Sequence, residues 1–119
     1  MKIINILVFI SLLFVSTQAF SHSKLIASTP AKDAQLSISP EQVELEFNRE
    51  VRLLKLEVQQ VDADKIDISF KPTMDKSTTF AVVVPTLSPA GYQVNWLAMG
   101  GDSHKMKGSF DFVVSDAAS

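Results

Sequence analysis

The fold is decided by residues 42–47, which read Gln42-Val43-Glu44-Leu45-Glu46-Phe47. Polar and apolar side chains alternate at every position of this stretch. Successive side chains of a β-strand point to opposite faces, so a period of two predicts a strand with one face buried.

The same alternation recurs along the chain and predicts further strands at residues 51–61, 66–70, 92–97 and 108–114. A short first strand is predicted at residues 24–28, ended by Pro30. The apolar, Val-rich run at 80–84 predicts a central strand, and the polar stretch 31–40 a loop. No convincing helix is predicted after residue 21. Turn signals recur at the spacing typical of sandwiches, which predicts an all-β, seven-strand β-sandwich of two antiparallel sheets, Ig-like or Greek-key. Leu87 and Gly91-Tyr92 predict a tyrosine corner.

The N-terminus has the pattern of a secretory signal peptide. A positive Met1-Lys2 start precedes a mainly apolar run to Val15, and Ala19 and Ser21 are small residues at the -3 and -1 positions for cleavage before His22. The apolar run is short for a membrane-spanning helix, which needs about 20 residues. Two regions are therefore predicted: residues 1–21 as a removed signal peptide and residues 22–119 as one exported domain.

Composition excludes several classes of function. The chain has 119 residues, a formal net charge of -2 and no cysteine. There is no basic surplus to indicate nucleic-acid binding. The absence of cysteine excludes disulfides and also a blue-copper electron-transfer centre, which needs a thiolate ligand.

The chain has only two histidines, and both are candidate metal ligands. After cleavage, His22 would offer its free α-amine and its imidazole Nδ1, which together close a chelate ring. The amine has an ordinary pKa near ~8, so a metal displaces its proton at modest cost. Alternatively, His22 is an arbitrary residue left by cleavage.

The second histidine lies in Gly100-Gly101-Asp102-Ser103-His104. In an extended backbone, residues i and i+2 point to the same face, so Asp102 and His104 are expected to reach one ion. The competing interpretation is an ordinary polar surface loop. A Ser-His-Asp catalytic arrangement is disfavoured because Ser103 would point away from its two neighbours.

Together, His22, Asp102 and His104 supply three nitrogens and one oxygen. This donor set suits tetragonal Cu(II). Zn(II) accepts the same donors tetrahedrally, but copper has the higher intrinsic affinity.

Several stretches in this order resemble the CopC (PcoC-type) periplasmic copper-binding proteins: residues 22–31, 43–48, 91–96, 102–104 and 108–112. The resemblance runs from His22 to about Val114. It implies a Greek-key sandwich or barrel of cupredoxin-like type with a Cu(II) site at the mature N-terminus, whose ligands fall on His22, Asp102 and His104.

The sequence departs from the family pattern in three places. Met74, Met99 and Met106 are scattered, without the clustered methionines that bind Cu(I) in some members. Arg49 stands where an acidic residue often follows the second strand, and Glu50 lies one position further on. Lys105 stands where Pro is common. Met106 is interpreted as a core or rim side chain rather than as a ligand.

The sequence therefore predicts a non-enzymatic, exported protein that binds one Cu(II) per chain in copper homeostasis, resistance or delivery. The copper ion is its predicted partner. The resemblance implies a periplasmic location and, as a further partner, an inner-membrane copper permease or another periplasmic copper carrier. Two alternatives are a metal-free sandwich module of the envelope and a copper mono-oxygenase. The mono-oxygenase is disfavoured because Tyr92 and Trp96 lie at strand spacing and are expected in the core.

Overall fold

A computed structural model describes residues 23–101 and 103–115, which form a curled seven-stranded sheet. The strands are β1 (Leu25–Thr29), β2 (Ala34–Leu36), β3 (Gln42–Gln60), β4 (Lys65–Ile66), β5 (Ser77–Val83), β6 (Ala90–Gly100) and β7 (Lys105–Val114). The predicted all-β sandwich is confirmed. In these two ranges, no helix has the length and apolar character needed to cross a bilayer.

The long strand β3 belongs to both layers of the sandwich. Its first part, from Gln42, lies between β1 and β5. Its second part, from Val51, lies between β6 and the short β4. The sequence predicted two separate strands here, and that prediction is wrong because the backbone stays extended through residues 48–50. These three residues are exposed where β3 passes from one layer to the other.

A register shift between Leu53 and Lys55 corrects the predicted faces of β3. Leu53 is fully buried, whereas Leu54, predicted on the inner face, is only half-buried. An extra residue in one strand reverses which side chains face inward. After the irregularity, Leu56 and Val58 point into the core as predicted.

Three further boundaries differ from the sequence prediction. The predicted loop 31–40 contains β2, which pairs with β7 in parallel, so the sandwich is not wholly antiparallel. The strand predicted at 66–70 is reduced to β4. Strand β5 is not central, because among the described residues it pairs with β3 alone. Val83 in β5 is accordingly 73% exposed.

The core lies between the layers and is built from alternate residues of β3, β6 and β7. Phe47 connects the two layers. Its ring packs in a T-shaped arrangement against Phe80 and against Trp96, with 6.0 Å and 5.2 Å between the ring centroids. Trp96 pairs with Gly108 on β7, and its ring covers the space that a side chain at Gly108 would fill. The predicted core positions of Tyr92 and Trp96 are confirmed.

The predicted tyrosine corner is also confirmed. Tyr92, which is buried at the start of β6, donates a hydrogen bond from its hydroxyl to the Ser88 carbonyl oxygen at 2.6 Å. The bond fixes the connection before β6 against the strand itself. The Tyr92 ring stacks on Phe112 of β7 at 5.5 Å.

Candidate metal centre

His104 lies at the base of the tight hairpin between β6 and β7. The Gly100 amide donates to the His104 carbonyl at 3.0 Å, and the Ser103 amide donates to the Gly100 carbonyl at 3.1 Å. Ser103 has a left-handed backbone conformation, with a φ of 67°. A left-handed residue closing a short hairpin is a common arrangement. His104 is exposed at this end of the sandwich.

The hairpin corrects the argument that Asp102 and His104 share a face because the backbone is extended. Ser103, which separates them, has a positive φ, so the alternation of an extended strand does not apply across it. Asp102 itself lies outside the described residues. Strand β7 begins one residue after His104, at Lys105, and its alternation sets Lys105 and Met106 on opposite faces.

The start of the described chain is fastened close to the point where β3 changes layer. The Lys24 amide donates to Asn48 Oδ1 at 2.7 Å, and the Asn48 amide donates to the Lys24 carbonyl at 3.0 Å. Lys24 and Asn48 therefore extend the antiparallel pairing of β1 with β3 by one residue beyond the Leu25–Phe47 pair. His22, two residues earlier, lies outside the described residues.

Val51 brings the hairpin to the same end of the molecule. It pairs with Gly100 of β6 and with Ser77 of β5. Asn48, which holds Lys24, precedes Val51 by three residues on the same strand. The structure thus places the described N-terminus and the His104 hairpin at one end of the fold, next to the exposed residues 48–50.

Lys76 is a neighbour of the hairpin that the sequence analysis missed. Its Nζ lies 3.6 Å from the position that a Cβ on Gly101 would occupy. Lys76 reaches this point because the next residue, Ser77, pairs with Val51 beside Gly100. No pattern in the sequence indicates the contact, since it depends on one residue pairing with two strands that are distant in the chain.

The methionines do not form a cluster in the described structure. Met106 pairs with Ala98 and packs half-buried against the core, in agreement with its predicted core or rim position. Met99 is the next residue after Ala98 and so faces the opposite side of the sheet. Met74 precedes β5 and is 80% exposed.

Within residues 23–101 and 103–115, no three His, Asp or Glu side chains are grouped so that they could hold a metal ion. Of the predicted ligands, only His104 belongs to these residues. The full ligand set of His22, Asp102 and His104 therefore stays a prediction.

Glu57 forms two ion pairs on the outer face of β3. Its carboxylate contacts Lys65 Nζ at 2.8 Å and Lys55 Nζ at 2.9 Å. The hydrogen bonds from Lys65 and then Lys55 hold the pKa of Glu57 below its ordinary value. A carboxylate held by two ammonium groups is a poor candidate for a metal ligand, so this cluster is structural.

The fold and the exposed histidine hairpin define a small all-β sandwich with candidate metal donors at one end. The family model described as the CopC domain matches residues 25–115. The chain belongs to the CopC family, and the resemblance inferred from its motifs is confirmed.

Relatives support this assignment over most of the chain. Copper resistance protein C of Xanthomonas campestris pv. juglandis is 26% identical over 122 residues, which cover 95% of each protein. Copper transport protein CutJ of Bacillus subtilis (strain 168) is 26% identical over 94% of this chain, but the chain spans only 21% of its length. The crystal structure of CopC from Methylosinus trichosporium OB3b has the same fold, with a TM-score of 0.67 and 21% identity over 79% of this chain and 94% of that one.

Proposed function

We propose that the processed protein binds one Cu(II) in the periplasm through His22, Asp102 and His104. In this proposal it stores, delivers or detoxifies copper and does not catalyse a reaction. The CopC domain match supports a role in copper handling. The relatives named for copper resistance and copper transport support it as well.

The observation that carries the proposal is the attachment of Lys24 to Asn48 at the end of the fold that holds the His104 hairpin. Two extended residues span about 7 Å. A mature N-terminus at His22 would therefore begin within a short reach of this end. Cleavage before His22 is part of the proposal.

The donor chemistry favours copper. The α-amine and imidazole of His22 and the imidazole of His104 would supply three nitrogens, and Asp102 a carboxylate oxygen. This mixture suits Cu(II), whose affinity for nitrogen and oxygen sites exceeds that of the other divalent first-row metals. Copper is the cargo in this proposal, and an inner-membrane copper permease or another periplasmic carrier would donate or receive it.

Cu(II) titration of the processed protein tests the ligand set. We expect His104→Ala to weaken binding by more than about 100-fold, the upper range for loss of an outer-shell partner alone. Electron paramagnetic resonance should show one nitrogen fewer on the copper. Ser103→Gly is the matched control, because glycine readily adopts the positive φ of residue 103. Equal affinity for His104→Ala and the control would show that His104 is not a ligand.

A second experiment tests the N-terminal chelate. One alanine added before His22 removes the imidazole from the terminal residue and should weaken Cu(II) binding strongly. One alanine added after Ser119 is the control and should have no effect. If copper binds but both extensions leave the affinity unchanged, the amine is not a ligand.

Thermal unfolding separates this proposal from a metal-free sandwich module. A ligand at 100 times its Kd adds about 2.7 kcal/mol of stability. The copper-binding protein should therefore unfold at a clearly higher temperature with Cu(II), whereas a metal-free module would show no change.

A further inference from the structure

The outer face of the sheet formed by β3, β6 and β7 carries two successive rows of side chains with the same composition. Arg52, Met99 and Lys105 are paired across the three strands, and so are Lys55, Leu97 and Lys107. Each row places an apolar side chain between two cations. Paired residues on neighbouring strands share a face, so all six belong to one surface.

This surface is positive although the protein as a whole is negative. The basic face is defined as Arg52, Lys55, Lys65, Lys105 and Lys107, which are five of the 11 basic residues in a chain of net charge -2. Glu57 contacts two of these lysines. The two rows themselves contain no carboxylate that could neutralise the remaining cations, Arg52, Lys105 and Lys107.

The shape of the basic face suits a docking surface. An open groove of about 550 Å³ runs over it, lined by Lys55, Glu57, Asn95, Leu97, Lys107 and Ser109 among others. Leu97 is half-buried between the exposed Lys55 and Lys107, and Met99 is half-buried between Arg52 and the exposed Lys105. Protein interfaces commonly combine a less polar centre with a polar and charged rim.

The opposite layer carries charge of the other sign. Glu44 and Glu46 are exposed on the part of β3 that lies between β1 and β5. Two copies could therefore meet basic face to acidic face. Such a head-to-tail contact repeats without closing unless the rotation forms a ring, so open-ended assembly argues against a second copy as the occupant.

We propose that the basic face docks an acidic surface of another protein. Lys105 directly follows His104, so the docked partner would lie beside the hairpin of the candidate copper site. All residues of the basic face lie in the described ranges, and docking on this face does not require bound copper. Complementary charge would mainly accelerate and orient the encounter.

Fluorescence anisotropy with a labelled deca-glutamate peptide tests the proposal on the processed, metal-free protein. We expect binding at low salt that weakens as NaCl is raised, because the screening length falls from about 10 Å at 0.1 M to about 3 Å at 1 M. Lys107→Glu should weaken binding at least about tenfold, since like charges would then meet in the interface.

Lys32→Glu is the matched control, because it makes the same change in net charge outside the basic face. Lys32 precedes Asp33, whose amide donates a hydrogen bond to the Asp111 carbonyl. Asp111 lies six residues along β7 from Lys105, towards the other end of the strand. We expect the control to alter affinity by less than about threefold. Amide chemical shifts in the titration should move mainly on the β6 and β7 residues of the two rows.

Three results would overturn the proposal. The first is equal weakening by Lys107→Glu and Lys32→Glu, which would indicate attraction by net charge alone. The second is binding to phosphatidylglycerol vesicles without binding to the peptide, which would assign the face to a membrane. The third is self-association lost in Lys107→Glu without peptide binding, which would assign it to a second copy. Failure of copper binding would leave all these readouts unchanged, so the two proposals are tested separately.

Discussion

Gly108→Ala should destabilise the protein because the Trp96 ring occupies the space next to residue 108. A Cβ at this position would lie 2.6 Å from Trp96 Cζ2 and 2.8 Å from Cε2. These distances are shorter than real Cβ contacts, and the atoms belong to a rigid ring. The ring cannot move freely, because it also packs against Phe47 in a T-shaped arrangement, with 5.2 Å between the ring centroids.

Two opposing effects set the expected magnitude. Forcing an extra methyl group into a packed core destabilises a protein by about 1–3 kcal/mol. Replacing glycine with alanine also restricts the unfolded chain, which stabilises the native state by about 0.4–1 kcal/mol. The steric effect wins here because both close atoms are on a buried indole, so we expect a net loss of about 1–2 kcal/mol. For a domain of this size that lowers Tm by about 4–8 °C per kcal/mol.

Equilibrium urea unfolding of Gly108→Ala, monitored by far-ultraviolet circular dichroism, would measure this loss. Gly91→Ala is the control, because its Cβ would meet Val61 Cγ2 at 3.5 Å, an ordinary contact. In a Trp96→Leu background, Gly108→Ala should lose most of its effect. The reasoning is refuted if Gly108→Ala unfolds at the same urea concentration as Gly91→Ala.

Three other substitutions have defined outcomes. Tyr92→Phe removes the donor to the Ser88 carbonyl and should reduce the free energy of unfolding by about 1–2 kcal/mol, measured by urea unfolding. Asn48→Ala removes the acceptor for the Lys24 amide and should accelerate hydrogen exchange at that amide, whereas Asn48→Asp should preserve protection. Glu57 has a lowered pKa, so its contribution to stability is present above about pH 4.5 and is lost as the pH falls through its folded-state pKa. Glu57→Gln should therefore lose less stability on acidification than the wild-type protein, measured by urea midpoints at about pH 6 and pH 3.

The alternation of polar and apolar residues predicted the strands that have one buried face and one solvent-exposed face. Val43, Leu45 and Phe47 are all buried as the sequence predicted. The tyrosine corner was predictable for a similar reason, because its residues are close together in the chain. Such local features can be predicted without knowing which strands lie next to each other.

The register shift in β3 and the position of β5 were not predictable from local pattern. Leu54 fits an alternating strand in sequence, but pairing with β6 buries Leu53 instead. The Val-rich run of β5 indicated a central strand, yet its pairing leaves Val83 exposed. Both outcomes depend on which strand lies alongside.

The candidate site divides in the same way. The sequence alone supplied the donor types, the cleavage pattern before His22 and the Gly-Gly turn, because these are properties of short segments. Only the tertiary structure decided that Lys24 is held at Asn48 and that Lys76 lies against Gly101. These contacts join residues that are far apart in the chain. They exist because one long strand, β3, pairs with strands of both layers and so brings their ends together.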